Sequence, residues 1–339
     1  MNPWPYVGRH ERTVRRAHDW QRLLGSGYLA WAPMLRRVEE PAGLRFTADF
    51  GAGEYEFELT VDVDGYVAIP VDGMTPRRLN VTEAEFAQLD LLDVLGQIRD
   101  AAGCEGAVEE VAGGVYQIGR RVVGGKTLAL LAAPRGVNRL SRRERARLGA
   151  RALGIDVRVL LVPDVASAPV STLDEFADLK VAVTELPNAP PWAVDWSPLV
   201  LDARFEVPLT DPVFFFGTRY AVIVDLEQER IWLEGRELKV KADGQSYRLF
   251  AHLAERPMTG VPVHGLANRV LEAEGTNRSE AKIVSDAKSE LMKSIKICLT
   301  PLPNHARLEA ASIVTVDDGR ATLNVDPSLV RVIRRLSER

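Results

Sequence analysis

The sequence contains few of the residues that mark specialised protein classes. Its 339 residues include two cysteines, Cys104 and Cys298, which lie far apart and have no cysteine neighbours. This pattern excludes a disulfide framework and a cysteine-based zinc site. The five histidines also lack a metal-ligand spacing such as His-x-x-x-His. We therefore predict no metal and no cofactor.

The chain also lacks a long hydrophobic run. No stretch reaches the roughly 18 apolar residues that a membrane span needs, and the charged first twenty residues contain no apolar segment of a secretory signal. We therefore expect a cytoplasmic protein that does not contact membranes.

A strong charge of one sign is absent as well, since the formal net charge is -4. Residues 1–212 contain 24 Lys and Arg against 30 Asp and Glu, whereas residues 213–339 contain 19 against 17. This mild asymmetry permits a nucleic-acid partner for the second part of the chain without requiring one.

The composition that remains is that of a folded protein with two domains. Hydrophobic residues make up 46% of the chain and charged residues 27%, which is typical of globular proteins. We predict an α+β protein in four parts: an N-terminal helical segment (1–40), a mixed α/β domain (41–186), a Pro-rich linker (187–200) and a C-terminal domain (201–339). The linker is placed there because its prolines resist both helix and inner strand.

Sequence patterns predict the elements of the first two parts. Residues 9–37 read as one or two short helices broken at Gly25–Gly27. Alternating apolar residues after Leu44 predict antiparallel strands with a hairpin at Asp64–Gly65. Capping-box spacings predict one helix that begins at Thr82, with Glu85 three residues on, and another that begins at Ser141, with Glu144. The strand, helix and strand over residues 126–163 predict a βαβ unit.

The C-terminal domain begins with short strands, of which the first is predicted at residues 204–209. Three helices follow, at residues 244–255, 263–274 and 278–299. A hairpin turning at Asp318–Gly319 and a terminal helix over residues 327–339 complete the predicted domain.

The helix at 278–299 is amphipathic. At 100° per residue, its apolar stripe contains Val284, Ala287, Leu291, Ile295 and Cys298. The opposite face presents lysines and serines with one acid among them, a composition that suits phosphates and base edges. A solvated surface helix is the alternative that the spacing alone leaves open.

The order of a small sheet, three helices and a hairpin resembles the OmpR-type winged-helix DNA-binding domain of bacterial response regulators. The resemblance covers residues 219–326 and is carried by the segments "RIWLEGRELKV", "QSYRLFAHLAERP", "VPVHGLANRVLEAEG" and "SEAKIVSDAKSELMKSI". It implies that the third helix enters the major groove and that the hairpin is the wing. The family usually ends its wing with a Gly-x-Gly-Tyr-like strand, whereas this chain has "DDGRATLNV". We also expect Asp317 and Asp318 at the hairpin tip to repel phosphate.

The resemblance implies a DNA-binding function, most simply a transcriptional regulator that binds double-stranded DNA as a homodimer. The N-terminal domain would serve in sensing or assembly, through a protein partner, and we assign no catalytic residue. A winged helix that docks protein, as a non-catalytic adaptor, is the main alternative. The DNA-binding residues that the resemblance implies are Arg278, Lys282, Ser285, Asp286, Ser289, Lys293 and Arg320.

Three other motifs compete for a function. "GRRVVGGKT" resembles a phosphate-binding loop, but its lysine is one place late, so a hairpin is favoured. Asp164 followed by Asp178 and Lys180 has the composition of a metal-dependent nuclease site, and residues 127–162 resemble a degenerate nuclease-like core. The run from Arg135 to Arg158 opposes eight arginines to two acids; a solvated helix face is favoured there over a second phosphate-binding surface.

Overall fold

The structure is a computed structural model. It describes residues 4, 7, 14–39, 43–49, 54–71, 75–80, 83–149, 154–271, 279–300 and 307–334. The chain is mixed α/β with several small sheets and divides into two compact units. Unit 1 comprises residues 1–194 and 198–208, and unit 2 comprises residues 195–197 and 209–339.

Unit 1 contains helices and strands that alternate irregularly along the chain. Its helices are α1 (Ala17–Leu24), α2 (Tyr28–Trp31), α3 (Leu91–Ala101), α4 (Arg142–Gly149), α5 (Val170–Asp178) and α6 (Pro198–Leu201). Its strands are β1 (Val14–Arg16), β2 (Leu35–Arg37), β3 (Arg45–Asp49), β4 (Glu54–Asp62), β5 (Gly65–Pro70), β6 (Arg77–Leu79), β7 (Phe86–Leu89), β8 (Glu109–Ala112), β9 (Val115–Val123), β10 (Lys126–Ala132), β11 (Val157–Val162) and β12 (Val181–Glu185).

The largest sheet of unit 1 has the order β12-β11-β10-β9-β8. β8, β9 and β10 form an antiparallel meander, and β10, β11 and β12 run parallel. Both crossovers are helical, through α4 and α5, so the predicted βαβ unit is confirmed. Every residue of β11 is buried, as a strand inside a parallel sheet requires. Leu148, Leu160, Val162 and Phe176 belong to the core formed by these helices and this sheet.

The predicted helix that begins at Thr82 is wrong over its first part. Phe86–Leu89 form β7, the central strand of the sheet β1-β7-β2, and α3 begins only at Leu91. Asp90 caps this helix by accepting a hydrogen bond from the backbone N–H of Asp93 at 3.0 Å. Strand pairing and the burial of Phe86 override the capping-box spacing, whose Thr82 lies outside the described residues.

The first forty residues also contain strands that were not predicted. β1 and β2 flank β7, while α1 and α2 lie between them, separated at Gly25–Gly27 as expected. β3 to β6 form a separate four-stranded meander, and its hairpin at Asp64–Gly65 is confirmed. Phe46, Phe57 and Phe86 join the two sheets in one apolar core.

In the 187–209 region, the Pro-rich segment contacts unit 1, and the strand predicted after it does not form. Tryptophan side chains fix the Pro-rich segment to unit 1: Trp4 donates to the carbonyl of Pro187 at 2.8 Å, and Trp192 donates to Gln97 at 2.9 Å. The strand predicted at residues 204–209 is absent, because Asp202 caps a short 3₁₀ turn at Ala203–Phe205.

Unit 2 combines a sheet, helices and a hairpin around one core. Its helices are α7 (Pro212–Phe216), α8 (Gln245–Ala254), α9 (Leu266–Arg269) and α10 (Glu280–Leu299). Its strands are β13 (Val222–Asp225), β14 (Arg230–Leu233), β15 (Arg236–Glu237), β16 (Val261–Pro262), β17 (Val314–Asp317), β18 (Arg320–Leu323) and β19 (Val330–Ile333). They form two sheets, β15-β14-β13-β19 and β16-β18-β17.

The terminal helix predicted at residues 327–339 is wrong. Val330–Ile333 form strand β19, which pairs in parallel with β13. The valines at 330 and 332 favour a strand. Pairing with β13 supplies backbone hydrogen bonds from a neighbouring strand, whereas a short helix would depend on its own hydrogen bonds alone. Residues 335–339 lie outside the described residues.

None of the helices in the described ranges combines the length and the apolar character that crossing a membrane requires.

Candidate nucleic-acid interface

The start of helix α10 is fixed by hydrogen bonds at two residues. Ser279 caps the helix by accepting from the backbone N–H of Lys282. The Glu280 carboxylate accepts from the backbone N–H of Gly265 at 3.0 Å and lies 3.0 Å from His264 Nδ1. Its contacts tie the helix start to the segment that precedes α9.

A buried stripe fixes the rotation of α10 about its own axis. Ile283, Val284, Ala287, Leu291, Ile295 and Leu299 are buried in the core of unit 2. The predicted stripe is correct except at its C-terminal end, where Leu299 is buried and Cys298 is only partly buried. Because the helix lies with this stripe inward, its opposite face is turned outward.

Five of the seven predicted DNA-binding residues lie together on the outward face of α10. Lys282, Ser285, Asp286, Ser289 and Lys293 are all exposed. Lys282, Ser289 and Lys293 fall within about 40° of one another around the axis, directly opposite Val284. The face is therefore a contiguous strip of polar groups, about 16 Å long from Lys282 to Lys293 at 1.5 Å per residue.

One serine on this face has its proton already engaged. The Ser289 hydroxyl donates to the carbonyl of Ser285 at 2.8 Å, one turn earlier. Its lone pairs stay free to accept hydrogen bonds, so Ser289 presents an acceptor to a ligand. This geometry limits the hydrogen bonds that Ser289 can make with a ligand.

The lysines of α10 keep their charges unneutralised. Within the described ranges, neither Lys282, Lys293 nor Lys296 makes an ion pair. Other cations of unit 2 do pair with carboxylates: Arg248 with Asp243, Arg307 with Glu234, Arg334 with Glu255, and Lys239 with Glu237. The lysines on the outward face of α10 thus keep charges that no carboxylate of the described chain pairs with.

The hairpin β17–β18 turns at Asp318 and Gly319 as predicted, with φ angles of 49° and 71° that suit a two-residue turn. Asp317 and Asp318 are exposed at its tip. Arg320, the sixth predicted residue, is exposed and lies opposite Asp317 across the hairpin, and its guanidinium donates to the carbonyl of Gly260 at 3.3 Å. With two carboxylates and one guanidinium, the tip carries a net negative charge. Arg278, the seventh predicted residue, lies outside the described residues.

The residues of the nuclease hypothesis do not converge. Asp164 follows the carboxyl end of β11, whereas Asp178 and Lys180 precede β12, which runs parallel to β11. They thus lie at opposite ends of two neighbouring parallel strands, about 16 Å apart along the strand direction. Asp164 accepts from the backbone N–H groups of Ala166 and Ser167, and Lys180 pairs with Glu206 at 3.2 Å. These three side chains cannot share a cation.

The remaining chemically suggestive groups have structural explanations. "GRRVVGGKT" forms the β9–β10 hairpin, turning at Gly124–Gly125 as expected. Burial raises the pKa of Cys104 to about 11 and also raises the pKa of Cys298, so neither thiol is an activated nucleophile. In the described ranges, no three His, Cys, Asp or Glu side chains gather as a metal site would need.

Comparison with known proteins returns no match to this sequence, either among protein-family models or among curated proteins.

Proposed function

We propose that this protein binds double-stranded DNA through unit 2, as a winged-helix protein, and that it regulates transcription. The observation that carries the proposal is the outward face of α10, where lysines without ion partners in the described chain alternate with serines and one aspartate. Lysines at this spacing contact phosphates, while Ser285, Asp286 and Ser289 offer groups that can meet base edges.

The arrangement of unit 2 supports this proposal. A small sheet precedes three helices, and a hairpin follows the third helix, which is the longest of unit 2. Strand β16 joins the hairpin sheet, so the hairpin is held next to the start of α9. In this proposal α10 enters the major groove, because an α-helix fits that groove, and a homodimer doubles the contact by placing two helices at two half-sites.

The acidic hairpin tip modifies the proposal in one respect. Asp317 and Asp318 repel phosphate, so the hairpin contributes less to binding than α10 does, and recognition depends on the helix. The same two carboxylates are the observation that favours the second candidate function, a protein-docking adaptor. Such an adaptor would bind a partner through unit 2 without salt-dependent affinity for DNA.

The proposal is tested by fluorescence anisotropy of a mixed-sequence duplex across a salt series. Each lysine contact to phosphate steepens the dependence of log K on log salt by about 0.9. Lys282→Ala/Lys293→Ala should therefore flatten the slope by up to about 1.8. Circular dichroism should show an unchanged fold, because both side chains are exposed.

A matched control removes two cations from another surface of unit 2. Arg230 and Lys239 lie in or next to strands β14 and β15, and both pair with Glu237. Arg230→Ala/Lys239→Ala should leave the slope unchanged. Equal effects of the two double variants, or no binding by the unaltered protein, would contradict the proposal. Absence of salt-dependent binding would instead favour the adaptor.

A further inference from the structure

Unit 1 also displays arginines that the fold does not neutralise. Arg135, Arg139, Arg142, Arg143 and Arg147 are all exposed. None of them makes an ion pair with another residue in the part of the chain that the structure describes. They lie in the loop after β10 and on helix α4, which this loop leads into, and we call them the arginine surface.

Several other arginines of unit 1 do form ion pairs, and the arginine surface differs from the remaining arginines that are unpaired in the described chain, such as Arg37 and Arg120, in that five unpaired arginines lie within one short segment. The ion pairs of the paired arginines join Arg16 to Asp19, Arg36 to Asp90, Arg77 to Glu83, Arg78 to Asp62 and Asp64, and Arg204 to Asp202. Within α4 itself, Arg145 is only partly exposed and pairs with Glu175 of α5 at 3.2 Å. That contact ties α4 to its neighbouring helix, whereas the arginine surface makes no such structural contact.

The exposed arginines of α4 occupy one arc of the helix. At 100° per residue, the exposed residues span an arc of about 140° around the helix axis, in the order Arg142, Ala146, Arg143 and Arg147. Leu148, on the other side, is buried in the core beneath the helix. Arg143 and Arg147 are about 6 Å apart along the axis, comparable with the rise of two nucleotide steps along a duplex axis, at about 3.4 Å per step.

The loop arginines border a cavity at the carboxyl ends of the parallel strands β10 and β11. The cavity has a volume of ≈ 390 Å³, and Arg135, Arg139, Asn138 and Ser167 contribute to its lining. The carboxyl ends of parallel strands are where ligands bind in open α/β sheets. Arg135 also lies against the β8–β9 turn, since a side chain at Gly114 would meet its Cδ at 3.4 Å.

Acids do border the arginine surface, but backbone and hydroxyl groups already engage them. The Glu144 carboxylate accepts from the backbone N–H and the hydroxyl of Ser141 at 2.7 and 2.6 Å. Asp164 accepts from two backbone N–H groups, and Glu110 accepts from the N–H of Gly114 at 2.7 Å. These carboxylates keep their negative charges, but in the described chain none of them forms an ion pair with the arginine surface, so the guanidinium N–H groups are left available to an external anion.

We propose that the arginine surface of unit 1 binds the phosphodiester backbone of nucleic acid, independently of base sequence. Five guanidinium groups spread over a loop and a helix match an extended polyanion better than a single compact anion. Exposed guanidinium groups also form paired hydrogen bonds with phosphate oxygens. The proposal shares its ligand, nucleic acid, with the function proposed for unit 2, but it concerns different residues and makes no use of α10.

The test uses the full chain and a mixed-sequence 20-base-pair duplex in fluorescence anisotropy across a salt series. Arg143→Ala/Arg147→Ala should flatten the salt slope by up to about 1.8, and Arg143→Lys/Arg147→Lys should restore most of it because the charges return. The control is Arg37→Ala/Arg120→Ala, which removes two exposed arginines from β2 and β9. It should leave the slope unchanged.

Combination with the lysine variant of α10 separates the two proposals. If both surfaces bind DNA, Arg143→Ala/Arg147→Ala and Lys282→Ala/Lys293→Ala should each flatten the slope, and the quadruple variant should show the sum. If the arginine variant leaves the slope unchanged while the lysine variant flattens it, the arginine-surface proposal is overturned and the function proposed for unit 2 stands. A slope that is reduced by the arginine variant but not by the lysine variant supports the arginine-surface proposal and contradicts the proposed contact of α10 with DNA.

A titration with inorganic phosphate distinguishes a backbone surface from a compact-anion site. The expected result is weak, non-saturating competition with the duplex. Saturable phosphate binding that is lost in Arg135→Ala/Arg139→Ala, without any effect of Arg143→Ala/Arg147→Ala on duplex affinity, would overturn the proposal.

Discussion

Helix α10 of unit 2 and the arginine surface of unit 1 both expose cations, but they differ in what accompanies those cations. On α10, serines and an aspartate lie between the lysines, so groups that suit phosphates and groups that suit base edges share one face. On α4, the exposed arc contains only arginines and Ala146. In the functions proposed above, the first surface offers several kinds of group to base edges, whereas the second binds the phosphodiester backbone, which carries no sequence information.

The two helices also differ in how the fold holds them. α10 has twenty residues and six buried side chains, and its first turn is tied to Gly265 and His264. The described part of α4 has eight residues and depends on Leu148, the Arg145–Glu175 pair and its capping box. A surface that reads bases needs a fixed rotation of its helix, whereas a phosphate-binding surface tolerates small rotations because long arginine side chains adjust.

The largest expected effect is on the stability of unit 2, where the buried stripe holds α10 in place. Leu291→Ala removes a fully buried side chain from the inward stripe of α10, and should lower the free energy of unfolding of unit 2 by about 2 to 5 kcal/mol. Ser289→Ala on the outward face should change it by about 0.5 kcal/mol or less. Urea denaturation monitored by circular dichroism measures both. Similar values for the two variants would show that the stripe does not anchor the helix.

The next prediction concerns sequence preference. Asp286→Ala should alter which duplexes are preferred, because an aspartate in the major groove accepts from the amino group of cytosine, and one such contact discriminates by about 1 to 3 kcal/mol. Arg143→Ala should weaken binding to all sequences alike. Selection from a randomised duplex pool, followed by sequencing, measures the preference. An altered preference in the Arg143 variant would contradict the distinction between the surfaces.

Much of this comparison was accessible from sequence because helix periodicity is a strong signal. The apolar residues from Val284 to Ile295 predicted the rotation of α10, and so predicted which five side chains face outward. The capping box at Ser141 and Glu144 was predicted and is present, with both hydrogen bonds formed. Local patterns succeed where the interaction that fixes the element is itself local.

The sequence failed where distant partners decide the structure. Phe86–Leu89 became a strand because β1 and β2, some fifty to seventy residues earlier, pair with it. Val330–Ile333 became a strand because β13 offered an edge. For the run from Arg135 to Arg158 the sequence left open both a solvated face and a phosphate-binding surface for a related reason: whether an arginine is paired depends on carboxylates elsewhere in the chain. Asp164 and Lys180, close in sequence, were likewise separated by the parallel sheet.

A smaller effect is expected at the hairpin tip. Asp317→Asn/Asp318→Asn removes two negative charges while keeping side-chain size, and asparagine tolerates the positive φ of residue 318. Affinity for duplex DNA should rise by up to about fivefold, since an exposed charge interaction contributes on the order of 0.2 to 1 kcal/mol. Anisotropy at low salt measures the change. A loss of affinity would indicate that the tip contacts a protein or a base and does not merely repel phosphate.

The smallest expected effect concerns Glu144, an acid that borders the arginine surface. Hydrogen bonds from Ser141 hold the pKa of Glu144 below its usual range, with a smaller contribution from Arg147. A carboxyl whose pKa is depressed on folding stabilises the native state above its unfolded pKa, and this contribution is lost as pH falls through the folded pKa. Glu144→Gln keeps an acceptor for the capping box but cannot titrate. The unfolding free energy of this variant should therefore depend less steeply on pH below about 4.5 than that of the unaltered protein.

At neutral pH the same variant removes the negative charge nearest Arg147, and the affinity of the variant for duplex DNA should rise slightly. Unfolding curves from pH 3 to pH 7 and anisotropy at pH 7 measure the two effects. Unchanged pH dependence together with unchanged affinity would mean that Glu144 neither caps α4 through its charge nor opposes phosphate at the arginine surface.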